Sequence, residues 1–273
     1  MYKRIYMAMY KNILIGTNLW TSSWKNAIAN INKSNIIISD FNDCENIKHI
    51  IYAQNISYVV PLSDLDNDLI ENIFITSNIN NVKIIYPKKE TANLLHNKNL
   101  FTNFMLNKYI GYIPDIYYLD GVKLKNIEYP SIYKPKYSTN GKNMYILHNN
   151  KDFLKLGNHN NIQQFIKDAD EYSALMLCID GDIINYKIIR YTYSEYHIKH
   201  RNFPDNCEHI ENFDITVFQN IMRDINYSGG VCIDFKFNKE SNKLYIFEIN
   251  PRFGGSAFTC NFIDELLCIP DET

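Results

Sequence analysis

Four residues near the C-terminus have the types and spacing for phosphate chemistry: Asp234 in "GGVCIDFKF", and Glu248, Asn250 and Arg252 in "IFEINPRFGGS". Both stretches read as short apolar strands, along which successive side chains point to opposite faces. Asp234 then shares a face with Cys232 and Lys236, and Glu248 with Ile246 and Asn250. The polar run "NKESN" (238–242) is the natural turn, and centring it on Ser241 pairs Asp234 directly with Glu248. Directly opposed residues hold their Cβ atoms about 4.5–5.5 Å apart. Two carboxylates that close repel unless a proton or cation lies between them. Hard cations such as Mg²⁺ take carboxylate and phosphate oxygens, and Asn250 would add a neutral oxygen. Pro251 then stops the strand, and Arg252 and the Gly254–Gly255 pair bring a guanidinium and backbone able to approach an anion closely. The plainer alternative is a set of solvated polar groups on an open sheet in another register.

The elements that must position this hairpin fall into two textures. In the first third, "NILIGT" (12–17), "NIIISD" (35–40), "YVVPLS" (58–63) and "VKIIYP" (82–87) alternate with helix-length segments. That order implies a parallel sheet with crossover helices, and ligands gather at the carboxyl ends of such strands, here Gly16–Thr17 and Ser39–Asp40. No G-x-G-x-x-G follows the first strand, which argues against a dinucleotide-dependent dehydrogenase. From about residue 113, hairpin-like strands take over, with one helix expected in "FDITVFQNIMRDIN". The expected division is an N-terminal α/β domain over 1–112, a small α+β subdomain over 113–182 and a C-terminal subdomain over 183–273.

The stretch "GGVCIDFKFNKESNKLYIFEINPRFGGS" resembles the closing metal-binding hairpin of ATP-grasp enzymes, in particular their carbamoyl-phosphate-synthase-like and D-alanine-ligase-like branches. Upstream segments match further family elements in order, over roughly residues 90–260. "SIYKPKYSTNGKN" resembles the strand lysine and phosphate-covering loop, implying phosphate contacts from Lys134, Ser138, Thr139 and the backbone at Gly141. "IQQFIKDADEYSALM" resembles the adenine hinge, implying base contacts from Gln164, Phe165 and Ile166 and a ribose contact from Glu171. Lys98 in "LLHNKNLF" resembles the lysine at the domain junction that also meets phosphate. The sequence departs from the pattern in its glycine-poor loop, in Gln163 and Gln164 where a Glu is common, and in lacking a glycine before Glu171.

The resemblance implies an ATP-grasp fold preceded by a Rossmann-like parallel-sheet domain. It also implies an ADP-forming carboxylate–amine (or thiol) ligase acting through an acylphosphate. Asp234, Glu248 and Asn250 would be the metal ligands, for Mg²⁺ or Mn²⁺, and Arg252, Lys134 and Arg190 the catalytic cations. The partners implied are ATP, a small carboxylic acid such as an amino acid and an amine; a homodimer is compatible with this. Two alternatives stay open: an ATP-binding regulatory module without turnover, and a metal-dependent hydrolase built on the hairpin alone. A biotin-dependent carboxylase is not expected, since the chain ends soon after the hairpin.

Bulk properties agree. With 28 basic and 30 acidic residues the net charge is −2, and hydrophobic residues make up 46%. That composition fills a core and gives no basic surface for nucleic acid or a membrane. No apolar run approaches the length of a membrane span and no leader cleavage site is evident. Six scattered cysteines without a Cys-x-x-Cys point to a reducing, cytoplasmic setting. The run "HIKHRNFPDNCEH" (197–209) matches no common zinc spacing and reads as a loop.

Overall fold

The computed structural model describes residues 13–16, 36–39, 43–62, 64–77, 79, 81–137, 143–156, 161–167, 169–193, 204–260 and 262–269. The helix-length segment over 21–33 and the residues Ser138, Thr139 and Gly141 lie outside them.

Strands β1 (Ile13–Gly16), β2 (Ile36–Ser39), β3 (Tyr58–Val60) and β4 (Lys83–Ile84) form a parallel sheet in the order β2-β1-β3-β4. Ile13, Leu14 and Ile15 are all fully buried, as expected of a parallel strand covered on both faces. On one side Leu14 and Val59 pack against helices α1 (Cys44–Ala53) and α2 (Asp64–Ser77) through Ile47, Ile51, Ile70 and Ile73. On the other, Ile13, Ile15 and Val60 pack against the C-terminal half of the chain. Helices α3 (Lys89–His96) and α4 (Lys98–Lys108) follow and lead into it.

Two antiparallel sheets make up the rest. The smaller contains β5 (Ile116–Leu119), β6 (Val122–Lys123), β7 (Ser131–Lys134), β8 (Tyr145–Leu147) and β9 (Asn161–Gln164), in the order β6-β5-β9-β7-β8. The short helix α5 (Asn150–Leu154) lies between its last two strands. The larger sheet contains β10 (Asp170–Ile179), β11 (Asp182–Thr192), β12 (Asn206–Ile210), β13 (Gly229–Asn238) and β14 (Lys243–Asn250), in the order β12-β11-β10-β13-β14. One face of the larger sheet packs Tyr172, Ile188, Ile233 and Phe235 against α4 and helix α6 (Thr216–Asp224). The other face carries Leu175, Leu177 and Cys232, which meet the parallel sheet together with Phe253 and helices α7 (Gly255–Thr259) and α8 (Ile263–Leu266).

The chain passes from the small to the large sheet between Gln164 and Asp170, and the division expected at 182/183 falls at the start of β11. One expectation changes here. Residues 206–210 form the edge strand β12 rather than a loop, with Arg190 paired to Glu208 across the ladder.

Candidate nucleotide and metal site

Strand alternation and the larger sheet's register build the site floor in rows. Asp234 on β13 pairs directly with Glu248 on β14 and, on its other side, with Ser173 on β10. The next row toward the start of β10 is Tyr245, Lys236 and Glu171, and the row on the opposite side includes Asn250 and Cys232. Same-face residues two apart on a strand lie roughly 6.5–7 Å from each other, so the rows run from Asn250 toward Glu171 along one face.

The opposed pair comes about differently from the expected turn. Asn238 pairs with Lys243, which centres the turn between Glu240 and Ser241; an unbroken ladder would then place Phe247 opposite Asp234. A β-bulge between Asp234 and Phe235 absorbs Phe247 as an extra residue and brings Glu248 opposite Asp234. The bulge also corrects one expectation. Ile246 does not share the face of Glu248 but is buried with Ile249 in the core beneath the sheet.

Asn250 Nδ2 lies 3.3 Å from both Asp234 Oδ2 and Glu248 Oε1 and donates to each. Asp234 Oδ1 accepts from the Ser173 hydroxyl at 2.5 Å. Two lysines arrive from other elements. Lys98 opens α4 and forms a 3.2 Å ion pair with Glu248 Oε2. Lys134 ends β7; its Nζ donates to the Phe247 carbonyl at 3.4 Å and sits 5.0 Å from the Phe247 ring centre. Both are deeply buried, Lys98 at 7% and Lys134 at 5% exposure. A cation at the first position of a helix opposes the helix dipole, so the place of Lys98 is explained by Glu248 rather than by its own helix. Asn97 holds it there: its side chain accepts from the Asn99 and Leu100 amides and donates to the Tyr137 hydroxyl.

The charges are strongly coupled. Burial raises the proton affinity of the Glu248 carboxyl, but the Lys98 and Lys134 ammoniums, with hydrogen bonds from Asn250 and Lys98, outweigh it and hold the group well below the usual carboxylate range. Burial pushes Lys134 down to about 8, with Glu248 opposing the shift and Lys98 adding to it. Two carboxylates, an amide and two ammoniums therefore converge where a cation–phosphate pair would be neutralised from both sides. The donor set of two opposed carboxylates and one amide fits a hard divalent cation.

The other expected residues are placed as follows. Gln164 ends β9, with its Oε1 near the Asp115 amide at 3.5 Å, and Phe165 and Ile166 lie in the connection between the sheets. Glu171 lies on the floor face, 3.4 Å from the Tyr193 hydroxyl. Half-buried Arg252 follows β14, its guanidinium donating to the Phe253 carbonyl at 3.1 Å. Arg190 pairs with Tyr172 on the face opposite Ser173 and Asp234, where it is ion-paired to Glu208 and lies 3.5 Å from Asp170. It is therefore not among the cations that meet at Glu248. Sequence reasoning also missed Ser173, the Lys98–Glu248 pair and the bulge. Only Ser173 had a visible signal, as the small polar residue two after Glu171 in an otherwise apolar run.

Lysines from α4 and β7 thus meet the acidic residues of the larger sheet. Residues 95–256 match the ATP-grasp domain family, and the chain belongs to that family. The D-alanine–D-alanine ligase from Bacillus anthracis, complexed with ATP, has a TM-score of 0.51 at 14% identity, covering 89% of this chain and 87% of that one. Biotin carboxylase from Campylobacter jejuni, as its β-γ-ATP complex, gives 0.53 at 16% identity over 95% of this chain and 68% of that one. A pyruvate carboxylase from Rhizobium etli, with the allosteric activator acetyl coenzyme-A, gives 0.55 at 11% identity over 93% of this chain but only 27% of its own. At these identities the likeness is one of fold. No curated protein sequence matches the chain.

Proposed function

We propose that the chain is an ATP-dependent ligase that joins a small carboxylic acid to an amine. The observation that carries this reading is the meeting of buried Lys98 with Glu248, itself opposed to Asp234, beside buried Lys134. Membership of the ATP-grasp family and the ATP-complexed ligase among its structural neighbours support it.

In this reading the backbone of Phe165 and Ile166 and the side chain of Gln164 receive the base, and Glu171 binds the ribose. Lys98, Lys134, Ser138, Thr139 and the backbone at Gly141 hold the phosphates. Asp234, Glu248 and Asn250 would hold Mg²⁺, whose charge offsets that of the β- and γ-phosphates when bound. Asn250 serves either state: turning its amide exchanges the N–H donor it now offers the carboxylates for an oxygen ligand. Glu248 stays ionised because the two lysines stabilise its charge, so it is ready as an acceptor at neutral pH. Lys134 and Arg252 then stabilise the charge on the γ-phosphoryl group as it passes to a substrate carboxylate oxygen. That transfer breaks the bond to the β-phosphate and leaves ADP and an acylphosphate. An amine nitrogen attacks the acyl carbon, loses a proton and expels inorganic phosphate, giving the amide. No covalent enzyme nucleophile is required, since positioning and electrostatics lower the barrier.

The test is calorimetric titration with a non-hydrolysable ATP analogue and Mg²⁺, followed by an ADP-release screen of amino acids and amines. Wild type binds the analogue and releases ADP only with the correct acid–amine pair, and Glu248→Gln binds much more weakly. Equal binding by the two proteins would reject the metal site, and ADP release independent of any carboxylate would reject the ligase.

A further inference from the structure

One side chain outside the set above ties the hinge to the metal-bearing strand. Lys236 lies on β13 two residues beyond Asp234, on the same face, with Glu171 and Tyr245 as its directly paired neighbours. Its Nζ donates to the Ile166 carbonyl at 2.8 Å and sits 5.8 Å from the Phe165 ring centre. Ile166 is buried in the connection between β9 and β10, beyond the end of the β9 ladder, so its carbonyl takes a side-chain donor instead of a strand partner. The same connection lines a cavity of about 270 Å³ with Gln164–Lys167 on one side and Asn238 and Tyr245 on the other. A hydrogen bond from an ammonium is stronger than a neutral one, and here it joins the larger sheet to the connection that enters it. An aliphatic side chain at 236 would pack as well on the floor but could not fix a carbonyl.

We propose that Lys236 is a positioning residue for the nucleotide base: by holding the Ile166 carbonyl it sets the hinge backbone that faces the base, and it couples the hinge to the strand bearing Asp234. This rests on the ATP reading above. The lysine acts through the hinge and need not touch the phosphates. Its loss should therefore weaken ligands that carry a base and spare those that do not.

The experiment compares wild type, Lys236→Met and Lys236→Arg by two readouts. These are hydrogen exchange of the hinge amides 164–167 without ligand, and calorimetric affinity for Mg²⁺-ATP against Mg²⁺-tripolyphosphate. In Lys236→Met we expect faster hinge exchange and about tenfold weaker ATP binding, with tripolyphosphate within about twofold of wild type. Lys236→Arg should restore most of both. Unchanged hinge exchange, unchanged ATP affinity, or an equal loss for both ligands overturns the proposal. If the hinge loosens while wild type itself binds no ATP, the strut stands as a structural link but the ATP reading and the positioning role both fall.

Discussion

At the scale of single residues, the site balances buried ammoniums against half-buried carboxylates. Glu248 meets Lys98 at 3.2 Å, and both lysines favour its ionised form. Its folded carboxyl therefore holds a proton less readily than its unfolded one, whose ordinary value is 4.5. Below that pH the unfolded chain gains a proton that the native protein still refuses, so this stabilisation is present above about 4.5 and is lost as pH falls toward the lowered value. Thermal melts of metal-free protein at graded pH should show Glu248→Gln losing stability less steeply than wild type in that acid window. Parallel slopes would mean that Glu248 is not held by the lysines. Lys134→Met, in turn, should cut the chemical step by about 10²–10³ while single-turnover assays still detect bound ATP, as expected for one lost charge stabiliser. A loss confined to binding would count against the γ-phosphoryl role. Asp234, Glu248 and Asn250 were legible in the sequence because a strand's period of two fixes faces without knowledge of distant contacts. The surroundings of Arg190 were not legible, because its acidic partners Asp170 and Glu208 lie in other strands.

At the scale of elements, an irregularity sets the geometry. The hairpin turn alone would leave Asp234 opposite Phe247, and the bulge restores Glu248 while presenting the Phe247 carbonyl and ring to Lys134. Deleting Phe247 should regularise the ladder, leave Asp234 and Glu248 opposed, and remove the contact that seats Lys134. Circular dichroism should show the fold retained, while calorimetry shows Mg²⁺-ATP affinity falling about tenfold, the scale of one lost charged hydrogen bond with its cation–π contact. Native affinity would mean that the bulge is incidental. The joint between α3 and α4 is a second such device. Asn97→Ala removes a helix cap and the Tyr137 bond, and should cost about 1 kcal/mol in denaturant unfolding, with weaker ATP binding through displacement of Lys98. Unaltered stability would show that the cap is dispensable. No local pattern announces a bulge, because the same residues would fit a regular strand. The turn expected at Ser241 reached the right pair through two offsetting departures.

At the scale of the whole molecule, the parallel sheet, the run of hairpin strands after it and the helix over 216–224 were readable from hydrophobic period and spacing. The order of strands within each sheet, the edge strand β12 and the sheet change at the 165–169 connection were not, since they depend on which faces find partners. The proposed ligand spans that change of sheet. Gln164 and Lys134 belong to the small sheet, Glu171, Asp234 and Glu248 to the large one, and Lys98 to the helix that precedes the small sheet in the chain. A nucleotide held by all three should therefore stabilise the molecule as one unit. At a hundred times its Kd, a ligand specific for the native state adds about 2.7 kcal/mol. For a chain of this size that corresponds to a rise of about 5–10 °C in Tm. Mg²⁺-ATP should produce this in a single unfolding transition, with slower hydrogen exchange in β7, β10 and β14 together, and EDTA should abolish most of it. Protection confined to one sheet, or a shift that survives removal of the divalent cation, would mean that the cleft does not grip its ligand from both sides through the opposed carboxylates.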